Sequence, residues 1–145
     1  MVARLPSKLF VDSAALIALF SKNDQYHDVA VEYYSSLTKK TILITTLLVI
    51  SETYTWFRYH LSYKTAIEFL DVIQDSIASE WLKVVYPDPA LDTQAQAILR
   101  QFQDQKLSYV DAMSFAVVQN MKIENVFGFD SHFRITKTNI WPLGL

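Results

Sequence analysis

Apolar residues fall into two patterns along this chain: short unbroken runs, and longer segments with apolar positions three or four apart. Lys8 to Asp12 is the first run, and its Leu9-Phe10-Val11 core predicts a short buried strand. Ser13 to Phe20, rich in alanine and leucine, predicts a helix. A second helix is expected from Asn23-Asp24 through Tyr33 and Leu37. Thr41 to Thr45 is β-branched and apolar, hence a strand. Thr45 or Thr46 then caps a helix with Leu47, Ile50, Tyr54, Phe57 and Leu61 at core spacing. Tyr63 to Ile77 is amphipathic, with Ala66, Ile67, Leu70, Ile73 and Ile77 on one face. Trp81 to Val85 reads as a strand closed by Pro87 and Pro89, and Ala90 to Phe102 as a helix. Ser108 caps a helix reaching Met121. Asn125 to Phe129 is a strand, Ser131 to Ile135 a helical turn, and Ile140 to Leu143 an edge strand.

Strands alternating with one or two helices predict an α/β fold, a three-layer α/β/α sandwich around a mostly parallel sheet. Ligand sites in such folds form at the carboxyl ends of the strands. Four acids sit at the ends of apolar segments: Asp12, Glu52, Asp111 and Asp130. Asp12 and Asp130 fall just past strand ends, and Glu52 and Asp111 in the first turns of helices. All four can thus face one edge of one sheet. No linker or repeat interrupts the pattern, so residues 1–145 are read as a single domain.

Composition narrows the chemistry. The 51% apolar content supplies a core, and there is no cysteine for disulfides or thiolate metal sites. The absence of cysteine and of an N-terminal apolar leader fits a cytoplasmic protein. The longest apolar block, Ile42 to Ile50, is too short to span a bilayer, so no membrane association is expected. The net charge of −2 argues against a polyanionic partner. Setting the four acids aside, however, 13 basic residues face 11 acids, and bound cations would neutralise the remainder.

Taken singly, three of the acids have structural explanations. Asp12 can be a helix N-cap, Ser108-Tyr109-Val110-Asp111 fits a capping box, and Asp130 can open a turn. Glu52 lies too deep in its helix to cap, though a solvated surface position would also account for it. Together, four oxygen donors suit a hard cation such as Mg²⁺ or Mn²⁺, one or two ions being possible. Such ions activate a water and stabilise the leaving oxygen in phosphoryl displacement. Ser13 and Ser108 are candidates to orient the carboxylates.

These segments carry a family resemblance. Val11-Asp12-Ser13-Ala14-Ala15-Leu16-Ile17 resembles the opening strand and helix of PIN-domain ribonucleases, specifically the VapC-like toxins of type II toxin–antitoxin systems. The segment Asp24-Gln25-Tyr26-His27, the helix Thr45 to Glu52, Leu107-Ser108-Tyr109-Val110-Asp111-Ala112 and Val126-Phe127-Gly128-Phe129-Asp130-Ser131-His132-Phe133 resemble the later motifs, in family order. The resemblance implies Mg²⁺- or Mn²⁺-dependent hydrolysis of RNA, homodimerisation and a cognate antitoxin. It implies that Asp12, Glu52, Asp111 and Asp130 are the catalytic metal ligands, with no histidine needed as base. Gly128 departs from the family, which often has a hydroxyl residue there.

Other residues are read more simply. His27 and His60 are expected to be structural or solvated, and His132 a turn residue within reach of a substrate phosphate. Arg134 and Lys137 follow Asp130 and suit either solvent or an RNA backbone. Tyr54, Trp56, Phe57 and Tyr59 suit the core or a dimer interface better than a base-stacking platform. Val29, Tyr33, Tyr34 and Leu37, with the Leu47 helix, are candidates for a protein contact.

Three other functions compete. A dehalogenase-type phosphotransferase needs an acid at position 14, which is alanine, and a receiver domain needs paired acids and a late lysine. A non-catalytic RNA-binding or assembly module of the same fold would be expected to lack a site acid. A DNA nuclease of the same chemistry is not distinguished by the sequence.

Overall fold

The computed structural model describes residues 5–144. Its strands are β1 (Lys8–Val11), β2 (Ile42–Thr46), β3 (Leu82–Val85), β4 (Asn125–Phe127) and β5 (Asn139–Trp141). Its α-helices are α1 (Ser13–Phe20), α2 (His27–Ser35), α3 (Leu47–His60), α4 (Tyr63–Ala78), α5 (Pro89–Gln101) and α6 (Tyr109–Asn120). A 3₁₀ turn spans Ser131–Thr136. The strands form one sheet in the order β3-β2-β1-β4-β5, and every adjacent pair is parallel.

Two faces of this sheet are covered. Leu9, Phe10 and Val11 are consecutive and all buried, which requires apolar layers on both sides. Val11, Leu43, Leu82 and Phe127 meet residues of α1, α2 and α4 on one side. On the other side Phe10 meets Phe133 of the 3₁₀ turn, which packs edge-on against Phe115 of α6. Phe20, Phe57 and Phe69 join α1, α3 and α4, with centroids 5.3 to 5.9 Å apart. The three-layer arrangement expected from the alternation of elements is therefore present.

The strand order determines where a ligand can enter. From β1 the chain moves outward through β2 and β3, then returns to the other side of β1 for β4 and β5. The order reverses between β1 and β4, and a crevice forms beyond the carboxyl ends of strands at such a point. Asp12 follows β1 directly, and Asp130 lies three residues after β4.

Several boundaries differ from expectation for local reasons. The second helix begins at His27 because Asp24 Oδ1 accepts the Tyr26 N–H at 2.8 Å, forming a turn first. β4 stops at Phe127, and Phe129 leaves the sheet to stack on Tyr26 with centroids 4.2 Å apart. β5 ends at Trp141, since Pro142 has no N–H to extend a ladder. In α3 the inward positions are Val49, Ile50, Thr53 and Phe57, while Leu47 is exposed, as is Leu61 just past the helix end. In α4, Phe69 joins Ala66 and Ile73 as a fully buried residue, and Ile67, Leu70 and Ile77 are half-buried.

Candidate metal centre

Asp12 occupies the junction of β1 and α1. Its N–H donates to the Phe127 carbonyl at 3.0 Å, and its own carbonyl accepts from Ala15 and Leu16. The backbone therefore fixes it between the two central strands. It is only 4% exposed, the one buried acid among the described residues. Its side chain makes no capping bond, and no lysine or arginine pairs with it among the described residues. Burial pushes its pKa up to about 8. The Ser13 N–H opposes that shift, while the charges of Asp111, Asp130 and Glu52 reinforce it.

Asp111 is placed by the first turn of α6. The capping box is formed: Ser108 N–H donates to Asp111 Oδ2 at 3.1 Å, and Asp111 N–H donates to Ser108 Oγ at 3.0 Å. One carboxylate oxygen is thus held by the helix end. Burial raises the Asp111 pKa, the Ser108 N–H opposes this, and the Asp130 charge adds to the rise.

Asp130 opens the 3₁₀ turn. Its Oδ1 accepts the His132 N–H at 2.9 Å and lies 3.1 Å from His132 Nδ1. Asp111, Asp130 and His132 each offer one ligand atom within 4.8 Å of the others. Asp12 and Glu52 stand outside this triplet.

Glu52 lies in the second turn of α3 on an exposed face, because Val49 and Thr53 take the inward positions. The apolar string around it does not bury it. Its charge still acts on Asp12. Ser13 is half-buried beside Asp12, and Ser108 is exposed at its cap.

Gly128 explains part of this geometry. A Cβ there would lie 3.2 Å from Asp12 Cβ and 3.7 Å from Asp12 Oδ2. The glycine leaves the backbone just past β4 close against the buried carboxylate.

Two further residues bear on the site: His132, which the sequence places in a turn beside Asp130, and Ser114, which the sequence does not single out. His132 joins the acid cluster because the 3₁₀ turn brings its ring back to Asp130. Ser114, one turn along α6 from Asp111, has a fully buried hydroxyl with no hydrogen-bond partner. Its spacing of three residues from Asp111 was the available signal. His27 and His60 behave as expected, with Nδ1 atoms 2.7 and 3.0 Å from the carbonyls of Ala18 and Trp56.

These residues suit a hard divalent cation. The acids supply oxygen donors, and Asp12 is a buried carboxylate facing like charges, with no cationic side chain among the described residues paired to it. Such a group is either protonated or compensated by a positive ion. No helix among the described residues is long and apolar enough to cross a membrane.

The chain is 27% identical over 125 residues to the 23S rRNA-specific endonuclease VapC20 of Mycobacterium tuberculosis, covering 86% of this chain and 91% of the relative. It is similar to the crystal structure of VapC20, a sarcin–ricin-loop-cleaving toxin, with a TM-score of 0.81, 25% identity and coverage of 90% and 95% of the two chains. The fold is also shared with VapBC2 from Rickettsia felis, solved with a DNA fragment from the promoter, at a TM-score of 0.68 and 10% identity, covering 93% of this chain and 99% of that one. The PIN domain family matches residues 9–138. The chain therefore belongs to the PIN-domain family.

Proposed function

We propose that this protein is a divalent-metal-dependent endoribonuclease, the toxin of a toxin–antitoxin pair, acting as a single domain in the cytoplasm. The observation that carries this reading is Asp12, a buried carboxylate at the sheet's reversal point, surrounded by the charges of Asp111, Asp130 and Glu52. Asp12, Glu52, Asp111 and Asp130 are the residues assigned to hold Mg²⁺ or Mn²⁺. Bound there, the cation supplies water activation and neutralisation of phosphate charge. The chain's part is positioning. The β1–β4 junction fixes Asp12, the capping box fixes Asp111, and the His132 N–H fixes Asp130. Arg134 and Lys137, both exposed just past Asp130, are suited to the RNA backbone.

The resemblance to VapC20 supports a structured RNA as substrate, with a ribosomal RNA loop the first to try. Structural likeness to VapBC assemblies supports an antitoxin partner. An apolar cavity of about 280 Å³ between α1, α2 and α4 is the candidate place for such a partner. Val31, Tyr34 and Val72 line it and are partly exposed. Homodimerisation belongs to the same proposal, with exposed Leu47 and Tyr59 on α3 as candidate contacts.

The test is incubation of purified, partner-free protein with structured RNAs and DNAs in Mg²⁺, Mn²⁺ or EDTA, beside Asp12→Asn and Asp111→Asn. Cleavage of RNA that needs the cation and both aspartates is expected. Cutting that persists in EDTA, or in both folded variants, rules out the carboxylate–metal mechanism. A preference for DNA assigns a different nuclease, and no cutting at all points to a binding module.

A further inference from the structure

We infer that His132 is a nitrogen ligand on the Asp111–Asp130 side of the metal centre and biases the site toward Mn²⁺ over Mg²⁺. The inference deepens the proposed function and rests on the reading of the acids as a cation site. Its basis is geometric. Asp111, Asp130 and His132 each present a ligand atom within 4.8 Å of the other two. Adjacent ligands around an octahedral cation at about 2.1 Å stand roughly 3 Å apart, and opposite ligands roughly 4.2 Å. The 3.1 Å between His132 Nδ1 and Asp130 Oδ1 matches the shorter separation. The side chains of His132 and Asp130 are 33% and 30% exposed, so a hydrated ion can reach them.

The ring is also held in place. Asp130 Oδ1 accepts the His132 N–H at 2.9 Å, so the acid and the imidazole belong to one rigid turn. Phe133, the next residue, is fully buried and anchors that turn in the core. The chemistry of the donor then sets the preference. Mg²⁺ favours oxygen and water, whereas imidazole nitrogen is better matched to transition metals. A site of carboxylates alone discriminates weakly between Mg²⁺ and Mn²⁺; one nitrogen ligand tips it.

The competing role for His132 is an ion pair with Asp130. The two roles predict opposite signs. Removing a positive ring from an acidic site strengthens binding of every cation, whereas removing a ligand weakens the cation that used it.

The experiment titrates wild type, His132→Ala and Asp111→Asn with MnCl₂ and with MgCl₂ by calorimetry. Imidazole NMR resonances are followed during Mn²⁺ addition to wild type. There are only three histidines to assign. We expect Mn²⁺ affinity in His132→Ala to fall by at least about tenfold, Mg²⁺ affinity to change much less, and the His132 resonances to broaden before those of His27 and His60. Unchanged or tighter Mn²⁺ binding in His132→Ala overturns the inference. So does an equal loss for both metals without selective broadening. In either case, if Asp111→Asn loses the cation, the carboxylate site itself stands. Failure of wild type to bind either ion overturns both.

Discussion

Asp12 and Asp88 both precede a helix in extended backbone, with φ and ψ of −90° and 165° at Asp12 and −110° and 171° at Asp88. Asp88 behaves as a cap: its Oδ1 accepts the Leu91 N–H at 2.7 Å, and the residue is exposed. Thr46, Ser62 and Ser108 cap their helices in the same way. Asp12 makes no such bond, although it is buried at 4% exposure. A cap offsets an orphan N–H and stabilises the helix. A buried acid that caps nothing and faces three other acids costs stability. The two aspartates separate what maintains this fold from what the fold holds ready.

Substitutions at the two positions would sharpen that contrast. The largest effect is expected for Asp12→Asn. RNA cleavage should fall by at least about a hundredfold, roughly 3 kcal/mol of barrier, while the metal-free protein melts no lower than wild type. A cleavage assay paired with a thermal melt checks both parts; a large loss of stability would make Asp12 another cap.

The next effect is a pH dependence led by Asp12, to which Asp111, whose pKa is also raised, adds in the same direction. Burial raises the Asp12 pKa to about 8, so the folded protein keeps a proton that the unfolded chain releases at lower pH. The native state binds more protons. Stability of the chelator-treated protein should therefore be greatest in acid and fall as pH rises towards about 8. Melting temperatures across that range should vary less in Asp12→Asn, with the remaining slope belonging to Asp111, and less again on adding Mg²⁺.

Asp88→Ala is expected to cost about 1 kcal/mol of stability and no activity. Ser108→Ala should cost a similar amount and also reduce cleavage, because its hydroxyl and Asp111 secure each other. Denaturant unfolding with parallel rates separates these cases.

The smallest effect is expected at Gly128. In Gly128→Ala the new Cβ, 3.2 Å from Asp12 Cβ, moves that side chain by a few tenths of an ångström. A few-fold loss of cleavage with a normal melting temperature would place the effect on Asp12. A drop in melting temperature alone would place it on β4 packing.

Much of this molecule could be read from one sequence. Leu9-Phe10-Val11 had to be a doubly covered strand, because three consecutive apolar residues leave no solvent face. Ser108 and Asp111 announced their capping box by spacing alone. Glu52 was less legible: its string is apolar, yet Val49 and Thr53 face inward and it does not. His132 reads as a turn residue close to Asp130, and nothing in its neighbours signals that its ring joins Asp130 and Asp111 in one cluster. Phe129 was assigned to a strand but leaves it to stack on Tyr26, a partner over a hundred positions away.

By itself the sequence determined the α/β alternation, the capped helices and which acids stand at the ends of elements. These follow from local periodicity and from hydrogen bonds spanning three or four residues. Only the tertiary structure decided that Asp12 is buried without capping, that Glu52 is exposed, and that His132 shares a cluster with Asp111 and Asp130. Burial and the proximity of like charges depend on which strands lie side by side. Here the reversal of strand order between β1 and β4 brings together residues from opposite ends of the chain.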